Sequence, residues 1–234
     1  MASLLQRKAE ADWLESNVVM GNLFDAKIVR GIPGGYGLAD FKGKRVLDIG
    51  AHIGSFSVYA AWKGASLVIA VEPLPRNVAL LRENASNWPQ QIRVIEAAAV
   101  RDLSTPRVIT SGAEITNHEM SNYGHSVLHP ATHSSNRVAI HPVHLIEFPR
   151  LLEYNPQIIK MDCEGTEHEL LEGYVAAPEV EALLLEVHFF DSKRVTMWRK
   201  TLESLLSQGF KIMQGKQSII EGYGQYGLLS LLRG

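Results

Sequence analysis

The chain of 234 residues has a single cysteine, Cys163, so no intramolecular disulfide is open to it. It also lacks any run of lysine or arginine, and its 23 basic and 25 acidic residues leave a formal charge of −2. Binding to a phosphate backbone needs a localised positive footprint, so nucleic acid is not an expected partner. No apolar stretch approaches the roughly 18–20 residues that span a bilayer. The opening MASLLQRKAE has no signal-peptide core, and the expectation is a cytoplasmic protein without membrane contact. Repeats and low-complexity tracts are absent as well. With 46% hydrophobic and 21% charged residues, the composition is that of a globular domain able to bury its core without staples.

What is present is an alternation of strand and helix signals. Leu5, Ala9 and Trp13, widened by Leu14 and Val18, predict an amphipathic first helix, which is expected to cap a pocket or form a dimer seam. GIPGGYG, Gly31 to Gly37, reads as loop. RVLDIG is a strand ending at Gly50, followed by helical spacing from Ser55 to Trp62; SLVIAVEP and the segment from Pro75 to Trp88 repeat the unit, and IRVIEAAAV opens a third strand at Ile92. Continuous Val/Ile/Leu runs alternating with helices imply parallel strands covered on both faces, hence a doubly wound α/β fold. Residues 1–40 form a helical extension and 41–234 the main domain, with a polar insertion at about 111–137. Beyond it come RVAIHPV and QIIKMDC as strands, TEHELLEG as a short helix, EALLLEVHFF as a strand and a long helix from Ser192 to Gly209. The tail reads as two strands joined without helical pattern, forming an antiparallel edge.

Three segments carry chemistry. In VLDIGAHIGSF, Asp48 lies inside a buried strand, and Gly50 and Gly54 bracket the turn into a helix whose N-terminus can face a ligand. Glu72 ends the next strand, where an acid holds ribose hydroxyls in doubly wound folds; the bland alternative is tight packing and a solvated acid. The turn Gly50-Ala51-His52-Ile53-Gly54 does not meet the dinucleotide fingerprint G-x-G-x-x-G, which favours a cofactor without a pyrophosphate. In IIKMDCEGTEHELLEG, alternation puts Lys160, Asp162 and Glu164 on one side, too costly to bury unless paired or used. Thr166 and Glu169 fit a capping box, and Glu164 and Glu167 sit near a helix start that favours negative charge. In LLLEVH, Glu186 and His188 share one side, and His188 is either a general base or a packed strand-end residue. Six of the nine histidines fall between His118 and His144, but Pro130 breaks the helix that would align His125, His129 and His133 on a metal, so a polar lid is the favoured reading.

In order, VLDIGAHIGSF, AVEPLPRN, AAAVRD, IIKMDCEGTEHELLEG and LLLEVH resemble the FkbM family of S-adenosylmethionine-dependent methyltransferases, over about residues 44 to 190. KMDCEGTE is similar to that family's K-x-D-x-E-G-x-E signature, and HLIEF departs from the Leu-Asp pattern before it. The resemblance implies a Rossmann-like seven-stranded sheet whose last strand is antiparallel. It implies methyl transfer from S-adenosylmethionine, leaving S-adenosylhomocysteine, to a hydroxyl of a small molecule such as a sugar or polyketide. By position it places Asp48, Gly50, Ala51 and Gly54 against the methionine part, Glu72 on the ribose, and Ala98 and Ala99 by the adenine. Lys160, Asp162, Glu164 and Glu167 match the signature at the cofactor and acceptor side. His188 or Asp162 is the expected base, with Lys160 orienting the carboxylates or an alkoxide. A magnesium ion on Asp162 and Glu164 is a lesser alternative. The competing functions are a nicotinamide-dependent oxidoreductase and a non-catalytic cofactor-binding module.

Overall fold

A computed structural model of the chain describes residues 3–104, 108–111, 125–126, 139–142, 144–189, 192–221 and 226–234. The central sheet has seven strands: β1 (Arg45–Ile49), β2 (Leu67–Glu72), β3 (Ile92–Glu96), β9 (Ile158–Met161), β10 (Ala182–His188), β11 (Phe210–Gly215) and β12 (Tyr226–Arg233). Their order is β11-β12-β10-β9-β1-β2-β3. All are parallel except β12, which runs antiparallel to both β10 and β11. The antiparallel strand thus lies one place inside the sheet, and β11 forms the edge that the sequence assigned to a hairpin. The connection also contains the short helix α8 (Gln217–Glu221), whose Ile219 carbonyl accepts the indole N–H of buried Trp198 at 2.7 Å.

Helices cover both faces, and strand alternation divides the core between them. One face packs Ile49, Ile69, Met161 and Leu185 against α7 (Ser192–Ser207) through Trp198 and Leu202. The other packs Val46, Ile158 and Leu184 against α3 (Ser55–Trp62) and α4 (Pro75–Ala85) through Phe56, Tyr59 and Leu81. A second small sheet pairs β4 (Ala98–Val100) with β8 (Leu145–Glu147), followed by α5 (Phe148–Leu152), and a third joins β5 (Val108–Ser111), β6 (His125–Ser126) and β7 (Ala139–Pro142). The rest of the insertion, with His118, His129 and His133, lies outside the described residues.

The N-terminal segment departs from its sequence pattern twice. In α1 (Leu4–Asn17) the buried positions are Glu10 and Leu14, while Leu5 and Ala9 face outward, with Leu5 81% exposed. The helix is turned by Glu10, whose carboxylate accepts the Tyr59 hydroxyl at 2.8 Å and the Lys63 ammonium at 2.9 Å, and by Trp13 stacking on Trp62 with ring centroids 4.2 Å apart. The second departure is α2 (Leu23–Tyr36), a helix running through the GIPGGY expected as loop. Here packing overrides propensity: Val29, Ile32 and Tyr36 are buried, and Gly35 lets the helix approach β12 so closely that a β-carbon would stand 2.8 Å from Leu228.

These contacts separate the glycines of α2. Gly34→Ala, with nothing within 4 Å of the added carbon, is expected to raise stability by about 0.5–1 kcal/mol through helix propensity, and Gly35→Ala to raise it less, because the Leu228 methyl has to shift. Thermal unfolding of the two variants beside wild type checks the pair; equal shifts would contradict the packing described.

Candidate active site

The carboxyl ends of β1, β2, β9 and β10 open on one cavity of about 800 Å³. That is within the range of sites for a drug-sized ligand. At its floor β1 and β9 come together at Gly50, where a β-carbon would lie 1.8 Å from the Asp162 carbonyl oxygen. Gly50 has φ +76, and only glycine meets both demands. Gly54, with φ +88, serves packing: its β-carbon would meet Leu81 at 2.5 Å.

Lys160 lies across this junction. Its ammonium donates to the Gly50 carbonyl at 2.6 Å and is 3.2 Å from Asp48 and 3.9 Å from Asp162. Burial opposes its charge, but Asp48 and Asp162 outweigh burial and hold its pKa above the ordinary lysine value. Lys160 is a fixed cation. Asp48 is fully buried and accepts the Ser57 hydroxyl at 2.6 Å. It stands behind the cavity wall instead of lining it, so its contact is with Lys160.

Glu167 fastens the other side. Also fully buried, it accepts the His188 backbone N–H at 2.7 Å, the His188 Nδ1 at 3.2 Å and the Gly165 N–H at 2.8 Å. Burial raises the Glu167 pKa, but the bond to His188 and the nearby imidazoles bring it down to about 2. Burial likewise opposes a charge on His188, yet Glu167, Asp162 and Glu164 push its pKa up to about 10. At neutral pH this imidazole carries a proton and donates to Glu167. The expected capping box is not formed: Thr166 precedes α6 (Glu167–Leu170) in helical conformation and makes no cap bond.

Asp162, Glu164 and His188 have ligand atoms within 4.8 Å of one another. Their geometry is that of an ion pair, with His188 Nε2 3.5 Å from Glu164 and Nδ1 on Glu167. Glu164 reaches His188 from a left-handed backbone, φ +54.

Glu186 is the group sequence reasoning passed over. It lines the cavity beside Asp162. Burial, then the Asp162 carboxylate, push its pKa up to about 8. Its alternation with His188 was visible, but the neighbour that matters lies on another strand. The remaining wall comes from Ile28, Ile32 and Tyr36 of α2 and from Tyr226, whose ring stacks on His188 at 5.9 Å.

At the opposite end, Glu72 accepts the His52 N–H at 3.0 Å, the Leu74 N–H at 3.1 Å and the Asn77 amide at 3.2 Å. Burial raises its pKa, with those three bonds pulling the other way. Ala51, Ala98 and Ala99 are small apolar wall residues nearby, and the wall residues Ser55 and Asn77 each hold a buried oxygen with no protein partner. A carboxylate, orphaned polar oxygens and small apolar residues fit the nucleoside half of a cofactor.

Residues 48–212 match the model of the Methyltransferase FkbM domain family, well over half of the chain. The chain belongs to this family. Membership makes S-adenosylmethionine the implied methyl donor. No curated protein sequence matches it significantly. Among solved structures, a candidate RNA methyltransferase (PH1948) of Pyrococcus horikoshii is 14% identical, with 98% of this chain and 99% of that chain covered and a TM-score of 0.49. The ribosomal protein L11 methylase of Lactobacillus delbrueckii subsp. bulgaricus is 14% identical over 89% and 79%, with a TM-score of 0.47. A precorrin-6y C5,15-methyltransferase of Geobacter metallireducens is 12% identical over 93% of both chains, with a TM-score of 0.45. Among the described residues no helix is long and apolar enough to cross a membrane.

The Glu167–His188 pair gives the FkbM domain a pH signature. The raised His188 pKa contributes stability that is whole below its ordinary value of 6.5 and is lost as pH rises through about 10. The lowered Glu167 pKa contributes stability present above 4.5 and lost as pH falls toward 2. The stability advantage of wild type over Glu167→Gln, read from denaturant midpoints, is therefore expected to peak between these ordinary values and to shrink on both sides. An advantage unchanged from pH 6 to 10 would refute the ion pair.

Proposed function

We propose that the chain transfers the methyl group of S-adenosylmethionine to a hydroxyl oxygen of a small polyhydroxylated acceptor, a sugar or a natural product such as a polyketide. The observation that carries this reading is the carboxylate of Asp162 beside Glu186 at the floor of the cavity. A sulfonium supplies a methyl group with a good leaving group already in place, so the protein's task is alignment, exclusion of water and removal of the hydroxyl proton. With Lys160 a fixed cation and His188 already protonated, Asp162 is the proton acceptor. Lys160, held by Asp48 and the Gly50 carbonyl, orients that carboxylate and offsets charge on the acceptor oxygen.

Glu72 takes the ribose, Ala98 and Ala99 flank the adenine, and the turn of Gly50 and Ala51 faces the methionine part. Glu164 and Glu167 belong to the acceptor end, Glu164 open to the cavity and Glu167 beneath it. The apolar face of α2 and the stacked Tyr226 and His188 rings give a flat wall against which a sugar or macrolide ring can lie. A charge of −2 without a run of lysine or arginine supports a small acceptor over RNA.

Calorimetric titration with S-adenosylhomocysteine is expected to show one site per chain, weakened at least about tenfold in Glu72→Gln by loss of a charged hydrogen bond to the ribose. Turnover is then read as S-adenosylhomocysteine release in the presence of hydroxylated sugars and macrolides. Unchanged affinity in the variant sinks the ribose role, and transfer confined to RNA or to amine acceptors sinks the hydroxyl reading.

A further inference from the structure

Two acids stand side by side at the ends of β9 and β10. The strands pair with Leu185 opposite Met161, so the next residues, Glu186 and Asp162, are neighbours, and both line the cavity. The groups facing Glu186 are Asp162 and Lys160 from β9, His188 from its own strand, Tyr36 from α2 and Tyr226 from β12, while its cross-strand partner on β12 is the apolar Leu228. The two cations among them have nearer anions: Lys160 is paired with Asp48, and His188 with Glu167 and Glu164. The charge of one carboxylate disfavours ionisation of another set beside it.

Resting on the cofactor reading above, we propose that the Asp162–Glu186 pair keeps one proton until the sulfonium cation enters the cavity, and that cofactor binding expels that proton and so prepares the proton acceptor. A cation brought close to an acid pair favours its doubly ionised form. The stoichiometry closes. When the acceptor oxygen bonds to the methyl carbon, the sulfur–carbon bond breaks with its electron pair left on sulfur, and the hydroxyl proton passes to the pair. Sulfur has then lost its positive charge and the pair has regained one proton, which is the state of the empty site. The proton lost in the overall reaction leaves at the next cofactor binding. Burial and the Asp162 charge, which raise the Glu186 pKa to about 8, put the pair in its singly protonated form at neutral pH.

The test needs no acceptor. Titration calorimetry at pH 7 in phosphate and in Tris, whose ionisation enthalpies differ, counts protons exchanged on binding. S-adenosylmethionine is expected to release about one proton more than S-adenosylhomocysteine, whose sulfur is neutral. Glu186→Gln removes the ionisable group with little change of shape and is expected to abolish that difference. Asp162→Asn removes the like charge, lets Glu186 ionise in advance, and is expected to reduce the release. Circular dichroism and retained S-adenosylhomocysteine binding report that each variant is folded. An equal proton count for the two ligands in wild type, or a difference that survives in Glu186→Gln, overturns the proposal. Absence of binding by either ligand overturns the cofactor reading, and this inference with it.

Discussion

The carbonyl oxygen of Asp162 lies where a β-carbon at position 50 would have to be, 1.8 Å from it. Everything at the site depends on that approach. It brings the ends of β1 and β9 close enough for the Lys160 ammonium to reach the Gly50 carbonyl and Asp48 together. A charge this buried is tolerable only when paired and hydrogen-bonded, so the strand junction and the cation stabilise each other. With Lys160 fixed, Asp162 has a defined position, and so does the Glu186 carboxyl beside it.

The electrostatics of the site follow from commitment of charge. Among the described residues at the cavity floor, both cations are anchored by fully buried carboxylates, Lys160 by Asp48 and His188 by Glu167. Neither anchoring acid lines the cavity. The acids Asp162, Glu164 and Glu186 therefore line the cavity beside two cations, Lys160 and His188, that are already engaged. That is a suitable lining for a positively charged sulfur compound and a poor one for phosphates.

Much of this was legible in the sequence because it is local. Alternation along QIIKMDC put Lys160 and Asp162 on one side of a strand, and the glycines of DIGAHIG marked the turn. The family signature then placed Glu164 and Glu167. What escaped depends on neighbours distant in sequence. Glu186 is one acid in an apolar strand until Asp162 is set beside it. GIPGGY has the composition of a loop, and it is helical because Gly35 meets β12 almost two hundred residues away. Glu10 reads as a surface acid until Tyr59 and Lys63 turn it inward. The same holds for His188: its place at the strand end was visible, but its charge is set by Glu167, 21 residues before it in the chain.

The wall that α2 contributes lies before residue 48, where the family match begins. Ile28, Ile32 and Tyr36 line the cavity from the helix ahead of the matched segment, while Glu72, Lys160, Asp162 and Glu186 line it from within that segment. Changes in this one helix can reshape that wall while the sheet stays as it is. In this architecture the form of the cavity is set from two directions, by strand ends inside the matched segment and by a helix outside it.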